Sequence, residues 1–312
     1  MATTLAEEVE KMRYSQLQEW ELAKVNYDNL RTVKTKKIVI DGIPMIVQFN
    51  PKRITSSAAK VDSKSIQERK CFLCPGNLPE QQKGIDFRGE YLVLVNPFPI
   101  FPKHLTIPGY KHEPQQIKGK ITDMLELAYS LQDYVFFYNG PKCGASAPDH
   151  LHFQAGNKGF LPIERDFDSF KKENIVSKKD IRISLLAEYP CSTFVMESED
   201  ILLIDEYFNK IDDALEIKTG EYEPMMNVLA WYSQDRYKLC FFPRVKHRPS
   251  CFYEEGENNI LISPASVDMG GVFITPLEKD FDKIKEEDVS KIIREVCLDK
   301  ASLRKIADQL NA

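Results

Sequence analysis

The chain has 312 residues, 43% hydrophobic and 11% aromatic, which is apolar material for one large domain or two ordinary ones and excludes a disordered or fibrous protein. Forty-two basic against forty-seven acidic side chains leave a net charge of −5 with no basic stripe, so no nucleic acid is expected as a partner. Seven scattered cysteines argue for reduced thiols in a cytoplasm rather than a disulfide scaffold, and neither a leader nor an apolar run of about 20 residues marks the chain for secretion or a membrane.

Residues 5–30 hold few helix breakers, and Leu17, Trp20, Ala23, Tyr27 and Leu30 recur at helical spacing, which predicts one amphipathic helix. Lys37-Ile38-Val39-Ile40 and Met45-Ile46-Val47-Gln48-Phe49 flank Asp41-Gly42, a pair suited to the positive φ values of a tight hairpin. Residues 51–70 are polar and basic. Tyr91-Leu92-Val93-Leu94-Val95 and Tyr134-Val135-Phe136-Phe137-Tyr138 read as buried strands, with a helix over 117–134 between them and helix-forming residues over 283–310 at the end.

The second half echoes the first. Pro108-Gly109-Tyr110-Lys111-His112-Glu113-Pro114 recurs as Pro243-Arg244-Val245-Lys246-His247-Arg248-Pro249, an offset of 135 residues. Each copy precedes a small-residue segment and then a strand: Gly144-Ala145-Ser146 before Leu151-His152-Phe153, and Pro264-Ala265-Ser266 before Gly271-Val272-Phe273-Ile274. Only the first of these strands contains histidine. The chain therefore divides into a catalytic half, 1–170, and a degenerate copy, 171–312.

In an extended segment His150, His152 and Gln154 project to one side while Leu151, Phe153 and Ala155 project to the other. Gly144, Ala145 and Pro148 suggest a tight loop whose backbone N–H groups, with the Ser146 hydroxyl, can approach an anionic oxygen, and phosphate is the natural guest. Neutral imidazole is a good nucleophile near pH 7, and the Gln154 amide could donate to phosphoryl oxygens as charge rearranges. The bland alternative is a solvated edge strand. Cys71-Phe72-Leu73-Cys74, followed by Pro75-Gly76, is half of a zinc site, with His104, His112 or His247 able to supply one more ligand and His150 another. A redox dithiol or two buried thiols are the competing readings.

These segments together resemble the histidine-triad superfamily, in particular its branch of galactose-1-phosphate uridylyltransferases and nucleotide-sugar phosphorylases. Cys71-Phe72-Leu73-Cys74, Val95-Asn96-Pro97-Phe98, Phe101-Pro102-Lys103-His104-Leu105-Thr106-Ile107-Pro108 and Asn139-Gly140-Pro141-Lys142-Cys143-Gly144-Ala145-Ser146 precede His150-Leu151-His152-Phe153-Gln154 in the family's order. The resemblance implies an α+β fold, an antiparallel sheet with packed helices, duplicated with a degenerate second copy. It implies His152 as the nucleophile that attacks the α-phosphorus, supported by Gln154 and Ser146. It implies zinc held by Cys71, Cys74, His104 and His150, with His112 in reserve. Asn96 and Phe98 would contact ribose and base, and Asn139 and Gly144 would hold phosphate. Pro97 stands where the uridylyltransferase has an acidic residue, so uridine specificity does not carry over.

The implied reaction is phosphorolysis of a nucleotide sugar, with inorganic phosphate or a sugar phosphate as second partner and a homodimer as the family's assembly. A diadenosine-polyphosphate phosphorylase or hydrolase would share the nucleophile. A zinc-stabilised nucleotide-binding protein with an inert site is the alternative from another class.

Overall fold

The computed structural model describes residues 3–54 and 62–310, so part of the polar stretch 51–70 lies outside the described residues. The predicted N-terminal helix is instead two, α1 (Leu5–Glu19) and α2 (Glu21–Leu30), broken at Trp20, whose φ of −102° and ψ of 98° are extended. Tertiary bonds override helix propensity here: the Asn26 amide donates to the Pro97 carbonyl and the Tyr27 hydroxyl to that of His104, tying α2 to the sheet at its own angle.

The hairpin forms as predicted. β1 (Lys34–Ile40) and β2 (Ile43–Phe49) pair antiparallel across Asp41 and Gly42, at φ 50° and 83°. A third strand, β13 (Val272–Thr275), adds parallel to β2, so the two ends of the chain share one small sheet.

The large sheet has ten strands, added here in chain order: β3 (Ile85–Phe87), β4 (Tyr91–Val95), β5 (His104–Pro108), β6 (Tyr134–Asn139), β7 (His152–Asn157), β8 (Lys172–Lys178), β9 (Ile181–Leu186), β10 (Phe194–Ser198), β11 (Met226–Ser233) and β12 (Arg236–Pro243). Their spatial order is β3-β4-β5-β7-β6-β11-β12-β10-β9-β8. Each half is a three-strand meander, a helix, then two strands of which the second inserts beside the meander. The helices are α3 (Ile121–Ser130), between β5 and β6, and α4 (Ile201–Asp213), between β10 and β11. The duplication is thus present in the topology, and the halves join at the antiparallel pair β6 and β11.

The expected pairing of the repeats is corrected by this topology. Pro108 ends β5, whose counterpart is β10, whereas Pro243 ends β12, the counterpart of β7. The seven-residue echo at an offset of 135 therefore does not mark equivalent positions. β13 likewise belongs to the small sheet rather than standing in for β7.

Strand alternation sends Phe136, Tyr138, Phe153, Val228 and Phe241 to a core shared with α3 and α4. Val135, Phe137, Leu229, Trp231 and Phe242 face the other way, into a core with the small sheet and the helix α5 (Glu286–Val296). The α3 prediction was too long because Gly119, at φ 76°, lies outside helical geometry and Lys120 caps the helix. The C-terminal helical stretch 283–310 is divided into α5 and α6 (Lys300–Gln309), and a further short helix, Glu278–Lys283, runs up to its start. Among the described residues no helix is long and apolar enough to cross a membrane.

Candidate active site

β7 is held from both sides. β5 pairs with it along its length, but β6 diverges beyond Phe137, and Gln115 fills the gap. Its buried amide donates to the carbonyls of Asn139 and His152, both at 3.0 Å, and accepts from the His152 N–H at 2.8 Å. No sequence signal singled out Gln115.

His152 is 3% exposed, and its Nδ1–H donates to the His150 carbonyl at 2.8 Å. Burial pushes its pKa down to about 4, against a smaller upward pull from that hydrogen bond, so the ring is neutral at pH 7. Nε2 has no protein partner among the described residues, and His152 lines a cavity of about 850 Å³. A neutral imidazole with one nitrogen tied down and the other bearing its lone pair into a cavity is the geometry a nitrogen nucleophile needs.

Gln154, two residues on, lines the same cavity. Its Oε1 sits 3.1 Å from His104 Nε2 and 3.4 Å from Asn96 Nδ2. The Ile100 N–H donates to His104 Nδ1 at 3.1 Å, which fixes the proton on Nε2 and makes His104 the donor to Gln154. With the amide oxygen occupied, the Gln154 NH₂ is left to face the cavity. Asn96 is spent internally: Nδ2 also donates to Thr106 Oγ1 at 2.9 Å, and Oδ1 accepts from the Phe98 N–H at 2.9 Å. It frames the loop that presents Phe98, which is 38% exposed at the cavity.

Asn139 is anchored in the same manner. Its Oδ1 accepts from Asn227 Nδ2 at 3.0 Å and from the N–H and hydroxyl of Ser266 at 2.8 and 2.7 Å. Only its Nδ2 remains for a ligand. Gly144, at φ 98°, permits the close contact between this loop and the second half: a Cβ there would stand 2.5 Å from that of Ala265. Ser146 lines the cavity with its hydroxyl unpartnered among the described residues.

Cys71, Cys74, His112 and His150 converge as a set that could hold a metal ion, with donor atoms within 4.8 Å of one another. His150 Nδ1 is 3.3 Å from Cys71 Sγ and 3.6 Å from Cys74 Sγ, and His112 Nδ1 is 3.2 Å from Cys74 Sγ. Tetrahedral zinc with ordinary bond lengths separates sulfur from nitrogen by roughly 3.5 Å, so the set fits. The tautomers fit as well. His150 Nε2–H donates to the Gly109 carbonyl at 2.8 Å, and His112 Nε2 lies 3.8 Å from Asp149, leaving both Nδ1 lone pairs for a cation.

The expected ligand His104 is corrected. It is fully buried in β5, and its two ring nitrogens are committed to Ile100 and Gln154, whereas His112, beyond the end of that strand, reaches the cysteines. The expectation that His150 shares a strand face with His152 and Gln154 also fails. β7 begins only at His152, so the His150 ring turns to the cysteines rather than the cavity.

Other cavity residues went unassigned in the sequence. Trp20, at the helix break, lines the cavity along with Phe72 and Phe98, and Arg53, Arg69, His247 and Arg248 also line the wall. Phe72 lies inside the cysteine motif, and the Arg69 guanidinium stacks 5.0 Å from its ring while pairing with Asp149.

Residues 12–157 match a family described as a domain of unknown function (DUF4922), and residues 167–311 match the family of GDPGP1-like C-terminal domains. No curated protein matches the chain by sequence. Among solved structures, yeast Ap4A phosphorylase Apa2 superposes with a TM-score of 0.63 at 16% identity, covering 96% of this chain and 99% of that one. Its complex with Ap4A gives 0.63 at 18% over the same shares, and its complex with AMP 0.59 at 17%, over 91% and 96%. The chain thus shares the fold of yeast Ap4A phosphorylase Apa2 over nearly its whole length, with the two halves built alike, and its second half matches the model of GDPGP1-like C-terminal domains.

Proposed function

We propose that the protein is a nucleotidyltransferase that phosphorolyses a nucleotide sugar through a covalent intermediate on His152. The observation that carries this reading is the neutral, oriented imidazole of His152 in a cavity lined by aromatic side chains and a small-residue loop. In the first step the Nε2 lone pair attacks the α-phosphorus, an N–P bond forms, and the bond to the bridging oxygen breaks so that the hexose phosphate leaves. Positive charge developing on the ring is met by the His150 carbonyl at Nδ1–H. The Gln154 NH₂, the Ser146 hydroxyl and the Asn139 amide donate to the phosphoryl oxygens. In the second step a phosphate oxygen attacks the same phosphorus, the N–P bond breaks, its electron pair returns to Nε2, and a nucleoside diphosphate departs.

Zinc in the Cys71, Cys74, His112 and His150 set would supply structural cross-linking rather than an open coordination position. The chain's own contribution is that His150 carries both the metal-facing ring and the carbonyl that orients His152. A second reading is phosphorolysis of a dinucleoside polyphosphate, favoured by the near full-length likeness to the Ap4A phosphorylase fold. Incubation with inorganic phosphate and a panel of ADP-, GDP- and UDP-hexoses and Ap4A separates the two. Nucleoside diphosphate and hexose phosphate should appear from a nucleotide sugar; turnover of Ap4A alone would move the assignment to the second reading. Turnover of none of them would remove both.

A further inference from the structure

Part of the cavity wall comes from the half that has lost the histidine motif. Arg244, 4% exposed, donates to the Pro264 carbonyl at 3.1 Å, to those of Lys246 and His247 at 3.1 and 3.2 Å, to that of Val296 at 3.0 Å and to the Asn227 side chain. All its partners are neutral, and no carboxylate lies within ion-pair distance among the described residues. It therefore fixes the 246–247 backbone and the 264 loop through neutral partners, with Asp268 as an electrostatic neighbour rather than an ion-pair partner. From that frame His247 and Arg248 reach the cavity. Arg248 Nε donates to Ser263 Oγ at 3.2 Å and the guanidinium lies 4.2 Å from the Phe252 ring, which sets its plane.

This wall joins the small-residue loop. Ala265, two residues after Ser263, packs on Gly144, and both line the cavity with His152. Three arginines line the cavity, of which Arg69 pairs with Asp149, and Asp268 is the one carboxylate among the described lining residues. Asp268 is itself turned to backbone, accepting from the N–H groups of Ala265 at 2.8 Å and Ile274 at 3.1 Å. Burial and the cations Arg248, Arg244 and Lys142 push the His247 pKa down to about 3, so its ring is a neutral hydrogen-bonding group in a positive field.

We propose that Arg248 and His247 form the subsite for a phosphate dianion, occupied first by the leaving hexose phosphate and then by the attacking inorganic phosphate. The inference rests on the nucleotidyl-transfer reading. In a double displacement through one histidine, leaving and entering oxygens both stand opposite Nε2 while the nucleoside stays in place. With the nucleoside held against Trp20, Phe72 and Phe98, both phosphates fall toward Arg248 and His247, whose loop meets the small-residue loop beside His152 where Ala265 packs on Gly144. The chemistry is a charge-assisted fork from guanidinium to phosphate, with an imidazole N–H beside it.

The test preforms the nucleotidyl-enzyme, removes free nucleotide and follows its discharge by intact mass against increasing inorganic phosphate and, separately, hexose 1-phosphate. Arg248→Ala should raise the half-saturating concentration of both by at least about 10-fold, and Arg248→Lys should restore part of it. A shift for only one acceptor would confine the subsite to that acceptor and overturn its shared use. Unchanged dependence on both in a folded Arg248→Ala variant overturns the proposal. If the parent forms no adduct, the nucleotidyl-transfer reading fails instead, and equilibrium dialysis with labelled inorganic phosphate decides the subsite. Binding lost in Arg248→Ala and His247→Ala would sustain it; absence of binding in the parent would end it.

Discussion

His152 donates its Nδ1 proton to the carbonyl of His150, 2.8 Å away, while His150 turns its own Nδ1 toward Cys71 and Cys74. One residue thereby links the Cys2His2 cluster to the proposed nucleophile through a single backbone group, and the two histidines of the motif face different surroundings.

The ligand set gives the first prediction. His150→Ala, Cys71→Ser and His112→Ala should each lower bound zinc well below one equivalent by elemental analysis. Each should cost at least about 3 kcal/mol of stability, a melting-temperature drop of roughly 6 to 12 °C. His152→Ala and His104→Phe should keep the metal. Zinc loss in His104→Phe with retention in His112→Ala would restore the original assignment.

A second prediction concerns the relay from the Ile100 N–H through His104 to Gln154. His104→Phe keeps volume in the core but frees the Gln154 amide to flip. kcat should fall roughly 10- to 100-fold with KM little changed, about the cost of one misdirected donor. A rise in KM at constant kcat would place Gln154 in substrate binding alone.

The contact between the two halves at Gly144 gives a third. Gly144→Ala must adopt φ near 98° and push its Cβ against Ala265, so it should lose activity by at least about 10-fold and stability by roughly 1 to 3 kcal/mol. Adding Ala265→Gly removes the clash but not the backbone strain and should restore part of the loss in thermal melting. No rescue would mean that strain alone is at fault.

Glu223 supplies a pH dependence. It is 4% exposed beneath the β6 end, its Oε1 2.6 Å from the Tyr138 hydroxyl and its Oε2 accepting from the Ile117 N–H at 2.8 Å. Burial lifts its pKa to about 8 despite those hydrogen bonds. The folded state thus keeps a proton that the unfolded state releases near the ordinary carboxylate pKa of 4.5. This group's contribution to stability is fully present below that value and is lost as pH rises toward 8, at up to about 1.4 kcal/mol per unit. Glu223→Gln should flatten that decline in chemical-denaturation curves between pH 5 and 8, to a degree read against the parent. Parallel curves would refute the shift.

Much of the site was legible in local patterns. Asp41-Gly42 specified its hairpin, and the strand alternation of His152, Phe153 and Gln154 told which faces they occupy, because period-2 geometry needs only neighbouring residues. What failed depended on distant partners. Nothing in residues 5–30 shows that Asn26 and Tyr27 bond to Pro97 and His104, so the break at Trp20, and with it the place of Trp20 in the cavity wall, was invisible. His104 and His112 are equally plausible as ligands until the end of β5 is placed and Ile100 and Gln154 claim the first. The echo between residues 108–114 and 243–249 misled because similar segments end strands that are not counterparts. Duplication was nevertheless the right reading of the architecture.

The most direct measurement is intact mass of the purified protein after mixing with a nucleotide sugar in the absence of phosphate. The parent should gain one nucleoside monophosphate, mapped to His152, and lose it when inorganic phosphate is added, while His152→Ala gains nothing and keeps its zinc. An adduct of the same size on His152→Ala, or turnover by the parent without any phosphate-dischargeable adduct, would contradict a covalent nucleotidyl-histidine mechanism.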